Sequence, residues 1–275
     1  MNRITTLIEN SPGEHLALRS EHGLSFCIET GQHMVLFDTG QSGAFMSNAA
    51  QLRIDLGKLE YVVLSHGHYD HSGGLRSLVE LTEKFELVTG PGFFNEKYAE
   101  RNGSYEFLGN NFDLDFIRSS SLRYSPLSDS MRELVPGVFV LGGFPRIHAN
   151  EVINTRFKLA TGTGFVPDRF DDEVMVVVDT PRGLVAILGC SHPGMRNMLD
   201  SVRERFGKPI RAVLGGTHLV EASGAGLDAS IRYLQDSGIG AIGVSHCTGL
   251  SAMKILGDSE RRYFHNRTGT SLALD

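Results

Sequence analysis

The feature that most constrains this chain is the segment SHGHYDHSGG at residues 65–74. It places four ligand-type residues, His66, His68, Asp70 and His71, within six positions. Imidazole and carboxylate groups suit a divalent cation such as zinc. The alternative is a solvated polar turn whose histidines cap the next helix. Because such a density of ligand-type residues is unusual for a plain turn, the segment favours a metal site.

The local pattern predicts that this loop joins a strand to a helix. Residues 59–65 have the pattern of a short buried strand. The helix prediction rests on apolar residues at helical spacing, Leu75, Leu78, Val79 and Leu81. Nearer the N-terminus, residues 24–30 and 33–37 predict a hairpin that leads into Asp38.

The C-terminal half alternates between strand and helix patterns. Strands are predicted at 138–141, 174–178, 184–188, 210–214 and 241–244, and helices at 193–206, 227–235 and 252–256. Residues 91–136 show weak periodicity and several turn signals, so we expect a surface excursion there, as an insertion or a lid over the site. The whole pattern predicts a mixed α/β (α+β) fold with helices outside packed sheets, in a single domain of residues 1–275.

Composition narrows the functional classes. The 275 residues include 41% hydrophobic residues and carry a net charge of −6, with no basic block that would suit nucleic acid. No window has the length and apolar character of a membrane span, and the N-terminus lacks the apolar core of a signal peptide. Three cysteines do not indicate a disulfide framework. We therefore expect a cytoplasmic protein that acts on a small molecule, with neither a nucleic acid nor a membrane as partner.

The spacing of the four ligand-type residues suits two ions rather than one. His66 and His68 point to the same side of an extended segment, so both can bind one ion, whereas Asp70 and His71 can reach a second. Two ions about 3.5–4 Å apart can hold a hydroxide between them and stabilise a developing oxyanion. Two zinc ions are the primary expectation, and manganese or iron would suit the same ligands.

Several of these segments together resemble the metallo-β-lactamase superfamily. The run 66–71 resembles its His-x-His-x-Asp-His motif, and FDTG at 37–40 resembles its first motif. GCSH at 189–192 and SHCTG at 245–249 fall where that family places its later ligands. The motifs GCSHPG, GGTHL and HCTG further resemble a subgroup, the dihydropterin-methyl ribofuranosylaminobenzene phosphate synthases. The resemblance implies a four-layer αββα sandwich with the site along one edge of its two sheets.

The resemblance also implies how the ligands are shared. His66 and His68 are assigned to the first ion, and Asp70, His71 and His246 to the second. Asp38 is implied to orient the histidine loop from behind the ligands.

The remaining ligand of the first ion is left open between two histidines. His192 is the favoured candidate, and His148 is its competitor, with a surface loop as the alternative for His148. Cys190 stands where the family has a bridging aspartate or, in some lactamases, a cysteine. It is either a thiolate ligand or a small buried side chain.

Three further residues are candidates for contact with the substrate. His218 follows a predicted strand at the same edge and is either a proton donor to a leaving group or a histidine satisfied in the core. Arg146 and Arg156 flank the expected lid and are candidates for binding a substrate phosphate, or else ordinary surface arginines.

The leading functional prediction is a metal-dependent hydrolase of a small phosphorylated or ester metabolite. A metal-bound hydroxide would attack phosphorus or a carbonyl carbon, with Asp70 as ligand and proton acceptor. One alternative is a transferase that joins a dihydropterin methyl diphosphate to a ribofuranosylaminobenzene phosphate. A second is a catalytically silent protein that retains metal and binds a ligand.

Overall fold

Two large β-sheets packed face to face form the centre of the fold in the computed structural model, which describes residues 2–275. The strands of the first sheet are β1 (Arg3–Ile8), β2 (Ser25–Thr30), β3 (His33–Phe37), β4 (Tyr61–Leu64), β5 (Glu86–Thr89), β8 (Arg123–Pro126) and β17 (Ser271–Ala273). Their order is β17-β1-β2-β3-β4-β5-β8. Strands β3, β4, β5 and β8 are parallel to one another.

The second sheet contains six strands and faces the first. They are β9 (Met131–Val135), β10 (Val138–Leu141), β13 (Met175–Thr180), β14 (Gly183–Leu188), β15 (Ile210–Gly216) and β16 (Ala241–Ser245), in the order β16-β15-β14-β13-β10-β9. Strands β14, β15 and β16 are parallel. Strands β13 and β14 are buried along almost their whole length, and their sequences are runs of valine, isoleucine and leucine without regular polar alternation.

Among residues 2–275, a third sheet of four strands shares no strand pairing with the central two. Its strands are β6 (Lys97–Arg101), β7 (Ser104–Phe107), β11 (Phe157–Thr161) and β12 (Gly164–Pro167), in the order β12-β11-β6-β7. All of its pairings are antiparallel. Residues of β7 and β12 are exposed throughout.

Helices cover the outer faces of the two large sheets. They are α1 (Ala44–Gln51), α3 (Leu75–Leu81), α4 (Leu114–Ser119), α5 (Met195–Phe206), α6 (Gly224–Asp236) and α7 (Leu250–Ser259), whereas the short helix α2 (Tyr69–Ser72) lies in the histidine loop. The first sheet packs against α1, α3 and α4 in one apolar cluster, and the second packs against α5, α6 and α7 in another. Helix α5 ends at Gly207, which adopts a left-handed φ of 60° that favours glycine.

The core between the sheets joins side chains from both inner faces. Val63 and Val88 from the first sheet share one buried cluster with Val140, Val176 and Val185 from the second. With the helices outside, the four layers form an αββα sandwich, as predicted. The predicted central hairpin is also confirmed, since β13 and β14 pair in the middle of the second sheet.

Residues 91–136 contain more regular structure than their weak periodicity indicates. Strands β6, β7, β8 and β9 and helix α4 all lie in this segment. Strands β8 and β9 are edge strands of the two large sheets. These strands are only four or five residues long, so their sequences carry too few alternations to stand out from the surrounding turns.

Candidate metal centre

The candidate ligands lie where parallel strands end at one edge of the two large sheets. The histidine loop follows β4, Cys190 and His192 follow β14, His218 follows β15, and His246 follows β16. Carboxyl ends of neighbouring parallel strands meet at the same edge, which is the usual position of sites in such sheets. Distant parts of the sequence are thereby brought to one place.

The turns at this edge are conformationally strained. Asp38, Ser191, His218 and His246 are all non-glycine residues with φ between 51° and 63°. A left-handed φ is uncommon for such residues and persists where the surrounding structure imposes it, often at functional sites. The strain at four separate turns therefore supports a functional role for this edge.

Three buried imidazoles form the first ligand group. Ring nitrogens of His66, His68 and His192 lie within 4.8 Å of one another, and Nε2 of His66 is 3.0 Å from Nδ1 of His68. Nε2 of His68 and Nε2 of His192 are buried with no hydrogen-bond partner among residues 2–275. Burial lowers the pKa of all three histidines well below the ordinary value. Neutral imidazoles in this arrangement fit one divalent ion.

Hydrogen bonds behind the ligands define which nitrogen of His66 is free. The Ser65 hydroxyl donates to Oδ2 of Asp38 at 2.8 Å, so its oxygen accepts from Nδ1 of His66 at 2.9 Å. Nε2 of His66 therefore keeps its lone pair toward the ligand group. Asp38 also lies 2.6 Å from Nδ1 of His71. Carboxylate–histidine pairs of this kind orient metal ligands.

A second ligand group lies beside the first. Oδ2 of Asp70 is 3.7 Å from Nε2 of His71 and 3.3 Å from Nε2 of His246. Sγ of Cys190 is 3.2 Å from Nε2 of His71 and 3.5 Å from Nε2 of His246. Four ligands placed about 2.0–2.3 Å from one tetrahedral ion lie roughly 3.3–3.8 Å from one another. These four separations lie close to that range, and the compact sets of ligand atoms here are His66–His71–Cys190, Cys190–His246–Cys247 and His22–Asp70–His246. Cys190 belongs to two of these sets and is the candidate thiolate ligand of a second ion.

Burial and neighbouring charges shift the pKa values of three members of this group. Burial would raise the pKa of Asp70, but the charge of His71, a hydrogen bond from His22 and the neighbouring His246 hold it well below the ordinary value. Burial would lower the pKa of His71, but the charges of Asp38 and Asp70 raise it to about 9. Burial lowers the pKa of His246 to about 4. An ion bound at Nε2 of His71 would displace a proton.

Buried polar residues fix the backbone that carries the ligands. Glu173 accepts hydrogen bonds from the backbone N–H groups of Ser191 and His192, the latter at 2.8 Å. Burial raises the pKa of Glu173 to about 8, against the effect of these hydrogen bonds. Asp172 accepts from the N–H of Gly67 at 2.9 Å, and Lys97 lies 2.9 Å from the same carboxylate. These contacts hold the loops that carry His66, His68 and His192.

Both ligand groups border one cavity of about 390 Å³. Tyr69, Arg101, Phe157 and His218 also line this cavity. Arg101 and Phe157 belong to β6 and β11, so the third sheet forms part of the cavity wall. The site is therefore open to a small molecule and lies beside two cationic side chains, those of Arg101 and Arg156.

Two of the remaining predicted site residues, His218 and Arg156, line the cavity. His218 lines the cavity with its ring centroid 4.2 Å from that of His192, but it belongs to neither ligand group. Arg156 also lines the cavity, and its Nε donates to Glu221 at 2.7 Å. Both remain candidates for contact with the substrate.

Two predicted residues lie away from the ligand groups. Arg146 donates to the carbonyl oxygens of His192 and Arg169, and it is not among the residues that line the cavity within the described chain. His148 lies 2.7 Å from Asp200, beside α5. His192, not His148, is brought together with His66 and His68.

Sequence reasoning missed several residues of the site. His22 lies 3.2 Å from Oδ2 of Asp70, and Cys247 lines the cavity beside Cys190. His22 is a single histidine in a loop and has no motif around it, whereas Cys247 stands inside the quoted SHCTG segment. Glu173 and Lys97 are also absent from the predictions. An acidic pair at 172–173, directly before a buried strand, is the one signal that points to Glu173.

Comparison with known proteins defines the class. A family model described as the metallo-beta-lactamase superfamily matches residues 19–195. With the αββα sandwich and the ligand groups at its edge, this match shows that the chain belongs to the metallo-beta-lactamase superfamily.

Individual relatives extend over nearly the whole chain. The 7,8-dihydropterin-6-methyl-4-(beta-D-ribofuranosyl)-aminobenzene-5'-phosphate synthase of Methanocaldococcus jannaschii is 31% identical over 91% of this chain and 88% of its own. The crystal structure of Tm1679, described as a metal-dependent hydrolase of the beta-lactamase superfamily, matches with a TM-score of 0.86 and 30% identity over 100% of both chains. Zinc-bound PqqB from Methylobacterium extorquens shares the fold, with a TM-score of 0.59 and 14% identity over 99% and 100% of the two chains.

A helix that spans a membrane needs both sufficient length and a predominantly apolar sequence. Within residues 2–275, none of the helices meets both requirements.

Proposed function

We propose that this protein is a dinuclear, zinc-dependent hydrolase of a small phosphorylated or ester metabolite. The observation that carries the proposal is the pairing of two ligand groups at one cavity. His66, His68 and His192 form the first group. The second group meets the first at His71 and Cys190, because the ligand atoms of these two residues and of His66 all lie within 4.8 Å of one another. Adjacent groups of this kind suit two ions that act together.

Two bound divalent ions would supply an activated water and positive charge for a developing oxyanion. The chain's own residues supply ligands and orientation. Asp70 is held ionised at the cavity wall, which suits a metal ligand, and its lowered pKa makes this carboxylate a weak proton acceptor. Burial lowers the pKa of His218, and its ring lines the cavity. This favours the neutral ring, which suits a hydrogen bond to the substrate rather than proton donation to a leaving group.

The cavity supports an anionic substrate with an apolar part. Arg101 and Arg156 bring guanidinium groups to the cavity, and arginine suits phosphate and carboxylate recognition. Tyr69, Phe157 and Leu250 contribute aromatic and apolar surface to the same wall. A phosphorylated metabolite with a ring would use both kinds of surface.

A substrate panel tests the proposal. Zinc-loaded and manganese-loaded protein is assayed against phosphomonoesters, phosphodiesters and carboxylic esters. The wild-type protein is expected to hydrolyse at least one class, and His66→Ala should abolish that turnover. An Arg118→Ala variant, altered at an exposed position, is the matched control and should retain it. A metal-loaded protein that binds a compound from the panel tightly and hydrolyses none would instead indicate a catalytically silent binding protein.

The relative from Methanocaldococcus jannaschii favours a second candidate function. Because its name describes a synthase and its match covers most of both chains, transfer rather than hydrolysis is the alternative for this cavity. The substrates would be a dihydropterin methyl diphosphate and a ribofuranosylaminobenzene phosphate, with the ions stabilising the departing diphosphate. Product analysis with both compounds separates the two functions. A coupled product with release of diphosphate supports transfer, and release of diphosphate without coupling supports hydrolysis.

A further inference from the structure

His22 occupies a position beside the second ligand group that no motif indicates. It lies in the loop between β1 and β2, and its Nε2 is 3.2 Å from Oδ2 of Asp70. Its ring centroid is 5.0 Å from that of His246. With Asp70 and His246 it forms a group whose ligand atoms lie within 4.8 Å of one another. His22 is therefore either a further ligand or a group that holds Asp70 in place.

The side chain of Asn10 distinguishes these roles, because it contacts both histidines. Its Oδ1 accepts from the N–H of Gly23 at 3.1 Å and lies 2.8 Å from Nδ1 of His246. Its Nδ2 lies 3.3 Å from Nδ1 of His22. A backbone N–H can only donate, so the contact with Gly23 requires the oxygen of the amide at this side. The amide orientation then follows from the hydrogen-bond network.

This orientation gives the two histidines opposite tautomers. Nδ1 of His246 donates to the Asn10 oxygen, so its Nε2 keeps a lone pair toward Asp70 and Cys190. Nδ1 of His22 accepts from the Asn10 amide, so its Nε2 carries the hydrogen and donates to Asp70. The first arrangement suits a metal ligand, and the second suits a hydrogen-bond donor to a ligand.

The loop that carries His22 is held closely against the backbone of Asp70. A Cβ at Gly23 would lie 2.3 Å from the Asp70 carbonyl oxygen, and Gly23 has a φ of 142°. The N–H of Leu24 donates to the same carbonyl at 3.3 Å. Glycine permits this approach because it has no side chain. The contact between His22 and Asp70 is therefore built into the loop even though the His22 side chain is 53% exposed.

We propose that His22 is a positioning residue for the second ion, with its tautomer set by Asn10. It donates from Nε2 to the Asp70 carboxylate and holds that carboxylate toward the ion, while His246 ligates. The inference rests on the metal centre proposed above, and it deepens that proposal by assigning a role to the loop between β1 and β2.

Metal affinity measured on variants of His22 tests this role. Zinc binding is followed by equilibrium dialysis against a chelator series. His22→Leu should weaken the second ion about 10–100-fold, the usual effect of removing a residue that supports a ligand, and leave the first ion unchanged. His22→Gln should restore most of the affinity, because its amide can donate to Asp70. His15→Leu alters an exposed histidine in the same loop and should bind both ions like the wild type.

Long-range nitrogen–proton NMR of the zinc-loaded protein tests the tautomers directly. His22 is expected as the Nε2–H tautomer and His246 as the Nδ1–H tautomer. Asn10→Asp presents acceptors in place of the amide N–H, so Nδ1 of His22 should then carry a proton as well, and the nitrogen shifts of His22 should become those of an imidazolium. If His22 had only a structural role, the protonation of its ring would not change when residue 10 is replaced.

The outcomes separate this inference from the proposed function. Wild-type protein that binds no ion overturns both. If the wild-type protein binds two ions and His22→Leu binds zinc with the same affinity, only the role of His22 is overturned. A third outcome is that His22→Gln fails to restore the affinity and that NMR shows Nε2 of His22 bound to zinc. His22 would then be a ligand, and the inference would also be overturned.

Discussion

Sγ of Cys190 lies 3.2 Å from Nε2 of His71, at the point where the two ligand groups meet. Burial raises the pKa of the Cys190 thiol well above the ordinary value. A buried thiol of this kind stays protonated unless a cation stabilises the thiolate. The position of Cys190 therefore has a direct consequence for metal binding.

Replacing Cys190 is expected to remove a ligand of the second ion. In cobalt-substituted protein, wild type should show the near-ultraviolet charge-transfer absorption of a thiolate–cobalt bond, and Cys190→Ser should lose it. Cys27→Ala is the control, because Cys27 is buried in β2 away from the site. A thiolate–cobalt absorption that survives in Cys190→Ser would contradict the assignment.

His192 and His148 should differ sharply in their effect on metal content. His192→Ala is expected to lose the first ion, since it removes one of three imidazoles in that group. His148→Ala removes a partly exposed contact with Asp200, so it should cost at most about 1 kcal/mol of stability and keep both ions. Elemental analysis of the two variants measures the difference. Loss of an ion from His148→Ala, with both retained in His192→Ala, would reverse the assignment.

Lys97 is expected to stabilise the fold through two buried ion pairs. Its Nζ lies 2.6 Å from Asp168 and 2.9 Å from Asp172, and all three side chains are buried. Lys97→Met leaves two buried carboxyl groups without their cation, which should reduce the free energy of unfolding by about 3–5 kcal/mol at pH 7. Urea denaturation measures this change. Lys254→Met, at an exposed pair with Asp258, should leave stability almost unchanged.

The loss caused by Lys97→Met should depend on pH in a defined direction. Burial raises the pKa of Asp172 in the folded protein, and Lys97 partly opposes this effect. Without Lys97 the folded-state pKa rises further above the unfolded value of about 3.9. The penalty is therefore present above the folded-state pKa and disappears as pH falls toward the unfolded value. Urea titrations at a series of pH values should show the difference from wild type shrinking on acidification, and a difference that grows there would contradict this account.

The strands and the ligand loop could be predicted because their signals are local. The segment 61–64 is apolar and leads into 65–74, so the strand-to-loop junction is visible in the sequence. Similarly, β13 and β14 contain dense valine and isoleucine runs around a short turn. Signals of this kind depend on residues a few positions apart.

Contacts between distant residues could not be predicted in the same way. His22 meets Asp70, and Lys97 meets Asp168 and Asp172, only after the sheets have formed. A single histidine or lysine has no periodicity, so its sequence neighbours do not reveal its partner. Choosing His192 over His148 likewise relied on resemblance, and the structure places His192 beside the other imidazoles.

Metal removal and return provide the most direct test of the central claim. Folded protein purified without chelator is analysed for metal content, then stripped, and its thermal unfolding is followed as zinc is added back. Because ions that bind only the folded state stabilise it, the account predicts two ions per chain and a melting temperature that rises with zinc concentration. Protein that contains no ion, and whose melting temperature is the same with and without added zinc, manganese or iron, would contradict it.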